Sequence, residues 1–168
     1  MKGTETELVD SGTDVHRDVA ARLSSVEQRY TSGRRAIVDT LAAAGRPLTV
    51  PEIIGERDEA TARRGALPQS SAYRNLTVLV EAGVLHRVSG TDDHGRYELA
   101  EELAGHHHHL LCVSCGRVDD VSAVPKLERA LDDAARLAAE ATGFEVTGHR
   151  IDLVGRCASC RDRDPSPA

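Results

Sequence analysis

The chain has 168 residues, 40% hydrophobic and 29% charged, a composition typical of one globular domain or two small ones. No apolar run approaches the ~18 residues that a membrane-spanning helix needs, and the first residues lack the basic and apolar regions of an export signal. These features exclude a membrane protein, a secreted disulfide scaffold and a collagen-like fibre, and they predict a cytoplasmic protein.

The net charge of −6 is distributed unevenly along the chain. Residues 29–90 carry nine arginines against six acids, whereas residues 91–168 carry nine basic and 15 acidic side chains. A locally basic segment can bind phosphate although the whole chain is acidic. The average charge therefore does not exclude a nucleic-acid partner.

Apolar spacing predicts four helices in the first half of the chain. After a polar, disordered tail over 1–13, a helix with Asp14 as N-cap presents one apolar face, formed by Val15, Val19, Leu23 and Val26. A second helix over 32–44 ends at Gly45, and a short third one starts near Thr49, with Pro51 in its first turn and Ile53 and Ile54 facing inward.

The fourth helix, over 69–82, buries Leu76, Leu79 and Val80, and two strands over 84–88 and 96–99 follow it. Short helices followed by a hairpin describe a winged helix-turn-helix, which we place at 14–100. The alternative is another small helical domain that carries a hairpin.

The apolar pattern in the second half of the sequence predicts a small α/β unit over 106–162, followed by a disordered tail over 163–168. It contains strands over 110–113 and 117–121, a helix over 124–141 and a half-buried strand over 144–155. The boundary between the two units falls near 100–105, and the whole chain is of the α+β class.

Two Cys-x-x-Cys pairs, Cys112 with Cys115 and Cys157 with Cys160, are the strongest chemical signal. Four thiolates complete a tetrahedral Zn(II) shell with no open position, which is typical of a structural site. A redox role is the competing interpretation, but a single redox pair would not require a second pair.

Four consecutive histidines, 106–109, lead directly into the first cysteine pair. Successive side chains of a strand point to opposite faces, so His106 and His108 point one way and His107 and His109 the other. One run can therefore supply two separate metal sites.

The motif HHHHLLCVSCG, the distant CASC and the preceding SSAYRNL helix together resemble the ferric uptake regulator (Fur) family of metal-dependent repressors. The resemblance covers about residues 28–160. It implies a winged helix that binds an operator in double-stranded DNA, a C-terminal dimerisation unit that forms a homodimer, and a divalent ion at the hinge between them.

The resemblance also implies ligand sets. Cys112, Cys115, Cys157 and Cys160 match the structural zinc site, and a second His/acid site comprises His106, His108, Glu128 and His149. The sensing site matches Glu98, His107 and His109. Where some members supply a further histidine, this chain has Arg46-Pro47, and His86 is the expected substitute.

Zinc sensors of the family place a cysteine near Ala100, and this chain has none there. Nitrogen and oxygen ligands suit Fe(II), Zn(II), Mn(II) and Ni(II) alike, so the sensed metal, for which we favour Fe(II) or Zn(II), stays open. A peroxide signal read through bound iron is a further alternative.

A helix in the major groove reads base edges through its N-terminal residues, here Gln69, Ser70, Ser71, Tyr73 and Arg74. Backbone phosphates would contact Arg29, Arg34, Arg35, Arg63 and Arg64. The alternative is that Tyr73 fills the core and Arg74 is a solvated charge. Ser71-Ala72 stands where family members more often have Thr-Val, which predicts a different base preference.

The sequence therefore predicts a metal-responsive transcriptional repressor and not an enzyme. A metallohydrolase would need an open metal position and a general base, and the chain lacks an H-E-x-x-H helix. A zinc-ribbon interaction module without DNA binding is the third hypothesis, but it leaves the arginine-rich segment unexplained.

Overall fold

The computed structural model describes residues 11–55, 68–89 and 94–163. In chain order these ranges contain α1 (Ser11–Ser25), α2 (Ser32–Ala44), β1 (Leu48–Thr49), α3 (Val50–Gly55), α4 (Gln69–Glu81), β2 (Leu85–Ser89), β3 (Gly95–Leu99), α5 (Glu101–Ala104), β4 (His107–Cys112), β5 (Val118–Ser122), α6 (Pro125–Thr142), β6 (Asp152–Gly155) and α7 (Ala158–Arg163). The predicted α+β class is confirmed. None of the helices in these ranges combines the length and apolar composition that crossing a lipid bilayer requires.

The first helix differs from its predicted bounds. It begins at Ser11, so Asp14 lies inside the helix instead of capping it, and residues 11–13 are helical; residues 1–10 of the predicted tail lie outside the described ranges. Val19 and Leu23, four residues apart, are fully buried, whereas Val26 follows the helix and is 41% exposed. The apolar face therefore ends at Leu23.

Local capping explains the next two helices. The Thr31 side chain accepts a hydrogen bond from the Arg34 backbone N–H at the start of α2, and Gly45 ends it in the left-handed region at φ 56°. At the start of α3, the Glu52 carboxylate accepts hydrogen bonds from both the backbone N–H and the hydroxyl of Thr49, each 2.7 Å.

Helix α4 runs from the residue after Pro68 to Glu81. Ala72, Leu76 and Leu79 lie at helical spacing on its buried face, but Val80 lies at the border of that face and is 37% exposed, so its predicted burial is wrong. Strands β1, β3 and β2 form an antiparallel sheet in that order, which completes the winged helix. Leucine, isoleucine and valine dominate this core.

A second sheet has the order β5-β4-β6, with β4 antiparallel to β5 and parallel to β6. Strand β4 begins at His107, earlier than predicted. The predicted strand over 144–155 is reduced to Asp152–Gly155, because residues 144–151 pair with no strand in the part of the chain that the structure describes. Phe144 is 72% exposed, so the predicted half-burial is also wrong.

Helix α6 is amphipathic but has no buried residue, and Leu137 is 58% exposed. Leu153 and Val154 on β6 are also exposed, at 49% and 63%. The second unit therefore carries an apolar surface that the described residues do not cover.

Candidate metal centres and DNA-contacting surface

The four cysteines meet although two of them are separated from the others by more than 40 residues. Cys112 ends β4, Cys160 lies in α7, and the parallel pairing of Cys112 with Gly155 brings the second pair beside the first. All four Sγ atoms lie within 4.8 Å of one another, and those of Cys115 and Cys157 are 3.8 Å apart. That spacing matches the ~3.8 Å edge of a tetrahedron whose zinc–sulfur bonds are ~2.3 Å.

The thiols of this cysteine cluster influence one another's ionisation. The backbone N–H of Cys157 donates to Cys112 Sγ, and it is the main reason why the pKa of Cys112 falls to about 6. The backbone N–H of Arg117 favours the Cys115 thiolate, but the neighbouring thiols and burial outweigh it and raise the pKa of Cys115 to about 11. A full set of thiolates at neutral pH therefore needs a cation, which Zn(II) would supply.

A second group, the hinge cluster, consists of Glu98, His107, His109 and Asp120. Glu98 Oε2 lies 2.8 Å from His109 Nε2 and 3.3 Å from His107 Nε2. Both imidazoles lie 3.9 Å from carboxylate oxygens of Asp120. Asp120 Oδ1 is buried and has no hydrogen-bond partner among the described residues, which fits a cation bound among these four side chains.

The Nδ1 atoms of His107 and His109 also have polar partners. His107 Nδ1 donates to the Gly105 carbonyl at 2.8 Å, and His109 Nδ1 lies 3.3 Å from a carboxylate oxygen of Asp152. Such partners fix the ring orientation and leave Nε2 for a metal. Both rings therefore aim Nε2 at Glu98.

Burial and hydrogen bonding have opposite effects on the pKa values of Glu98, His107 and His109. Burial would raise the pKa of Glu98, but hydrogen bonds and positive charge from His109 and His107 outweigh it and lower that pKa. The hydrogen bond to Glu98 raises the pKa of His109 against the effect of burial. Burial would lower the pKa of His107, yet its contacts with Gly105 and the two acids raise it. Burial raises the pKa of Asp120.

One expected ligand of this site lies outside the cluster. His86 lies directly opposite Glu98 in the β2–β3 pairing and lines a cavity of about 140 Å³ with it, but His86 is not part of the cluster. Asp120 takes the fourth position because it pairs with His109 across the β4–β5 hairpin. The signal was present in the sequence: a tight turn at Cys112-x-x-Cys115 pairs the histidine strand with the following acidic strand.

The second cluster consists of His106, His108, Glu128 and His149, as predicted from the resemblance. Nε2 atoms of the three histidines lie 3.0, 2.7 and 3.1 Å from the Glu128 carboxylate. Hydrogen bonds from His108 and His106 lower the pKa of Glu128. Glu101, which the sequence analysis did not single out, contacts His106 Nδ1, and this contact raises the pKa of His106.

Arg46, at the position where a histidine ligand is absent, has a structural partner. Its guanidinium lies 3.1 Å from Glu52, the acid that caps α3. This ion pair links the end of α2 to the start of α3.

The expected DNA-contacting residues differ in exposure. Tyr73 is 48% exposed, so it does not fill the core, and Arg74, Gln69, Ser70, Arg29 and Arg35 are exposed as well, whereas Ser71 is partly buried. Arg34 is 8% exposed, and its guanidinium donates to the Arg29 carbonyl and the Gln28 side chain, which contradicts the expected phosphate contact. Arg63 and Arg64 lie outside the described residues.

The sequence profile of the ferric uptake regulator family matches residues 25–154. The ferric uptake regulation protein of Bacillus subtilis is 32% identical over 96 residues, 56% of this chain and 61% of that protein, so this match spans less than two thirds of the relative. The peroxide-responsive repressor PerR of Staphylococcus saprophyticus is 30% identical over 138 residues, 80% of this chain and 84% of the relative. The structure of the Helicobacter pylori ferric uptake regulator has a TM-score of 0.69 at 20% identity, covering 96% of this chain and 97% of that one, which shows a shared fold.

Proposed function

Because the chain belongs to the ferric uptake regulator family, and is therefore a metal-responsive DNA-binding transcriptional regulator, we propose that its hinge cluster is the site where metal controls DNA binding. The observation that carries this proposal is that the potential ligands come from both units of the chain. Glu98 lies on the winged-helix sheet, whereas His107, His109 and Asp120 lie on the second sheet. A cation held by all four side chains would join the two units.

The charges of the four ligands indicate how a bound cation would change the arrangement of the two units. When bound, a divalent cation supplies positive charge that offsets the two carboxylates. Glu98 accepts hydrogen bonds from both imidazoles, and a cation bound at these Nε2 atoms would replace the protons of those contacts. If the cation binds the closed arrangement of the two units more tightly than the open one, its binding shifts the population towards the closed, DNA-competent arrangement.

The donor set favours some metals over others. Two imidazoles and two carboxylates contain no sulfur, and carboxylates are preferred by harder ions than Zn(II). Asp120 in place of His86 therefore moves our expectation from Fe(II) or Zn(II) towards Fe(II), with Mn(II) next. A peroxide-responsive repressor is the second candidate, because the Staphylococcus saprophyticus relative is one and because His107 and His109 would lie next to iron held in the hinge cluster, which would supply the redox chemistry for their oxidation by peroxide.

The remaining sites have architectural roles in the proposal. The cysteine cluster holds structural Zn(II), and the second unit, 106–162, forms a homodimer through the uncovered apolar surface of α6 and β6. The winged helix, 14–100, binds the operator through the exposed N-terminal residues of α4 and the exposed arginines 29 and 35. Such a repressor acts in the cytoplasm, where a bacterial chromosome lies.

The test is DNA binding at controlled free metal. Protein that retains its cysteine-bound zinc is mixed with a pool of random duplexes and given Fe(II) without oxygen, Mn(II), Zn(II) or Ni(II) in turn. We expect Fe(II) or Mn(II) to produce a specific shifted band at the lowest free concentration, and sequencing the band identifies the operator. A shift that is equally strong with no added metal, or no shift with any metal, contradicts the proposal.

A further inference from the structure

Helix α5 lies in the segment that connects the winged helix to the second unit. Glu98 of the hinge cluster precedes this four-residue helix, and His106 of the second cluster follows it after Gly105. The Leu103 side chain packs against the core of the winged helix. Helix α5 therefore links the core of the winged helix to the histidine strand of the second unit.

One side chain of α5 contacts the second cluster. Glu101 accepts a hydrogen bond from His106 Nδ1, while His106 Nε2 lies 3.0 Å from Glu128 and 3.2 Å from His149 Nε2. A carboxylate that holds the far nitrogen of a ligating imidazole orients the ring for the metal. The position of α5 and the orientation of His106 are thus linked.

The next side chain of α5 reaches the DNA-binding unit. Glu102 lies 3.6 Å from Arg22 of α1, and the same Arg22 Nη1 donates to the backbone carbonyl of Gly83. Gly83, at φ 65°, follows Ala82, the C-cap of α4, and the backbone N–H of Ala100 donates to the Val84 carbonyl at 2.9 Å. A guanidinium at this end also interacts favourably with the helix dipole.

We propose that Glu101, Glu102 and Arg22 are positioning residues that transmit metal occupancy of the clusters beside α5 to the helix that enters DNA. Glu101 and Glu102 are consecutive on a short helix. The contact of Glu101 with His106 and the contact of Glu102 with Arg22 therefore move together. Because Arg22 also donates to the Gly83 carbonyl, a shift of α5 moves the backbone at the C-terminal end of α4. The inference rests on the proposed function, because it assumes that metal raises DNA affinity.

The test compares Arg22→Ala, Glu102→Gln and the control Arg17→Ala, an exposed arginine of the same helix. For each protein, DNA affinity is measured with and without Mn(II), and Mn(II) affinity is measured separately. We expect Arg22→Ala to lose about tenfold of the metal-induced gain, since it removes an ionic hydrogen bond to a carbonyl. Glu102→Gln should lose about threefold, typical of a partly exposed ion pair. Mn(II) affinity and metal-free DNA affinity should stay unchanged, and the control should match the parent protein.

An unchanged metal-induced gain in both variants overturns the inference. Glu102 is largely exposed, so Glu102→Gln keeps the test valid even if Arg22→Ala unfolds. Hydrogen exchange provides a readout that needs no DNA: Mn(II) should slow exchange at Val84 and Ala100 in the parent protein but not in Arg22→Ala. If the parent shows no metal-induced gain in DNA affinity, the proposed function fails, while equal slowing in the parent and the variant refutes the coupling itself.

Discussion

Replacing Glu98 by alanine tests the control site most directly, because among the described residues Glu98 is the one hinge-cluster ligand that the winged helix contributes. Its side chain is 8% exposed and accepts hydrogen bonds from two imidazoles. A hydrogen bond to a charged group contributes about 1.5–3 kcal/mol. Since one carboxylate oxygen serves both imidazoles, we expect the metal-free protein to lose about 2 kcal/mol of its free energy of unfolding.

The effect on DNA binding should be larger than the effect on folding. To shift a population from 1:99 to 99:1, a cation must bind the favoured arrangement with about 5.5 kcal/mol more free energy than the other. Without Glu98, the remaining ligands all belong to the second unit, so the cation gains little from closure. We expect the metal-induced gain in DNA affinity to fall to about one, while the dimer persists.

Fluorescence anisotropy of the selected operator at buffered free metal measures this gain, and sedimentation measures the dimer. Asp162→Ala, an exposed acid of α7, is the matched control. The reasoning is refuted if Glu98→Ala remains dimeric and retains a metal-induced gain within threefold of the parent protein. His109→Ala should reproduce the loss, because it removes the imidazole nearest to Glu98.

Three further predictions concern other parts of the molecule. Cys112→Ser should lower the melting temperature and the zinc content, since structural zinc contributes to folding directly; unchanged values of both would argue against the cysteine site. Metal affinity of the hinge cluster should decrease as pH falls, and the decrease should begin above pH ~6.5, because Glu98 raises the pKa of His109, the Gly105 carbonyl and the two acids raise the pKa of His107, and metal binding must displace those protons. Calorimetric titration between about pH 6 and 8 checks the sign. Arg74→Ala should weaken operator binding by about 1–3 kcal/mol if it contacts a base, whereas an equal loss on all duplexes would identify a phosphate contact.

Local patterns in the sequence predicted most of the helices and strands because their causes are local. Gly45 ends α2 through its own backbone conformation, and apolar spacing predicts the burial of Leu76 and Leu79. The error at Val80 has a different origin, since the width of a buried face depends on what packs against it. The predicted strand over 144–155 failed for a similar reason: alternation of side chains does not supply a neighbouring strand.

The sequence by itself determined the chemistry that is available: two cysteine pairs, and a histidine run whose alternation on a strand supplies two faces. Only the tertiary structure decided which acids join those faces, because carboxylates distant in sequence reach the histidines through strand pairing and helix packing. The β4–β5 hairpin brings Asp120 beside His109, whereas His86, paired with Glu98 across the β2–β3 hairpin, stays outside the cluster. Arg34 looks like any surface arginine in the sequence, yet the loop before α2 folds around its guanidinium and removes it from solvent.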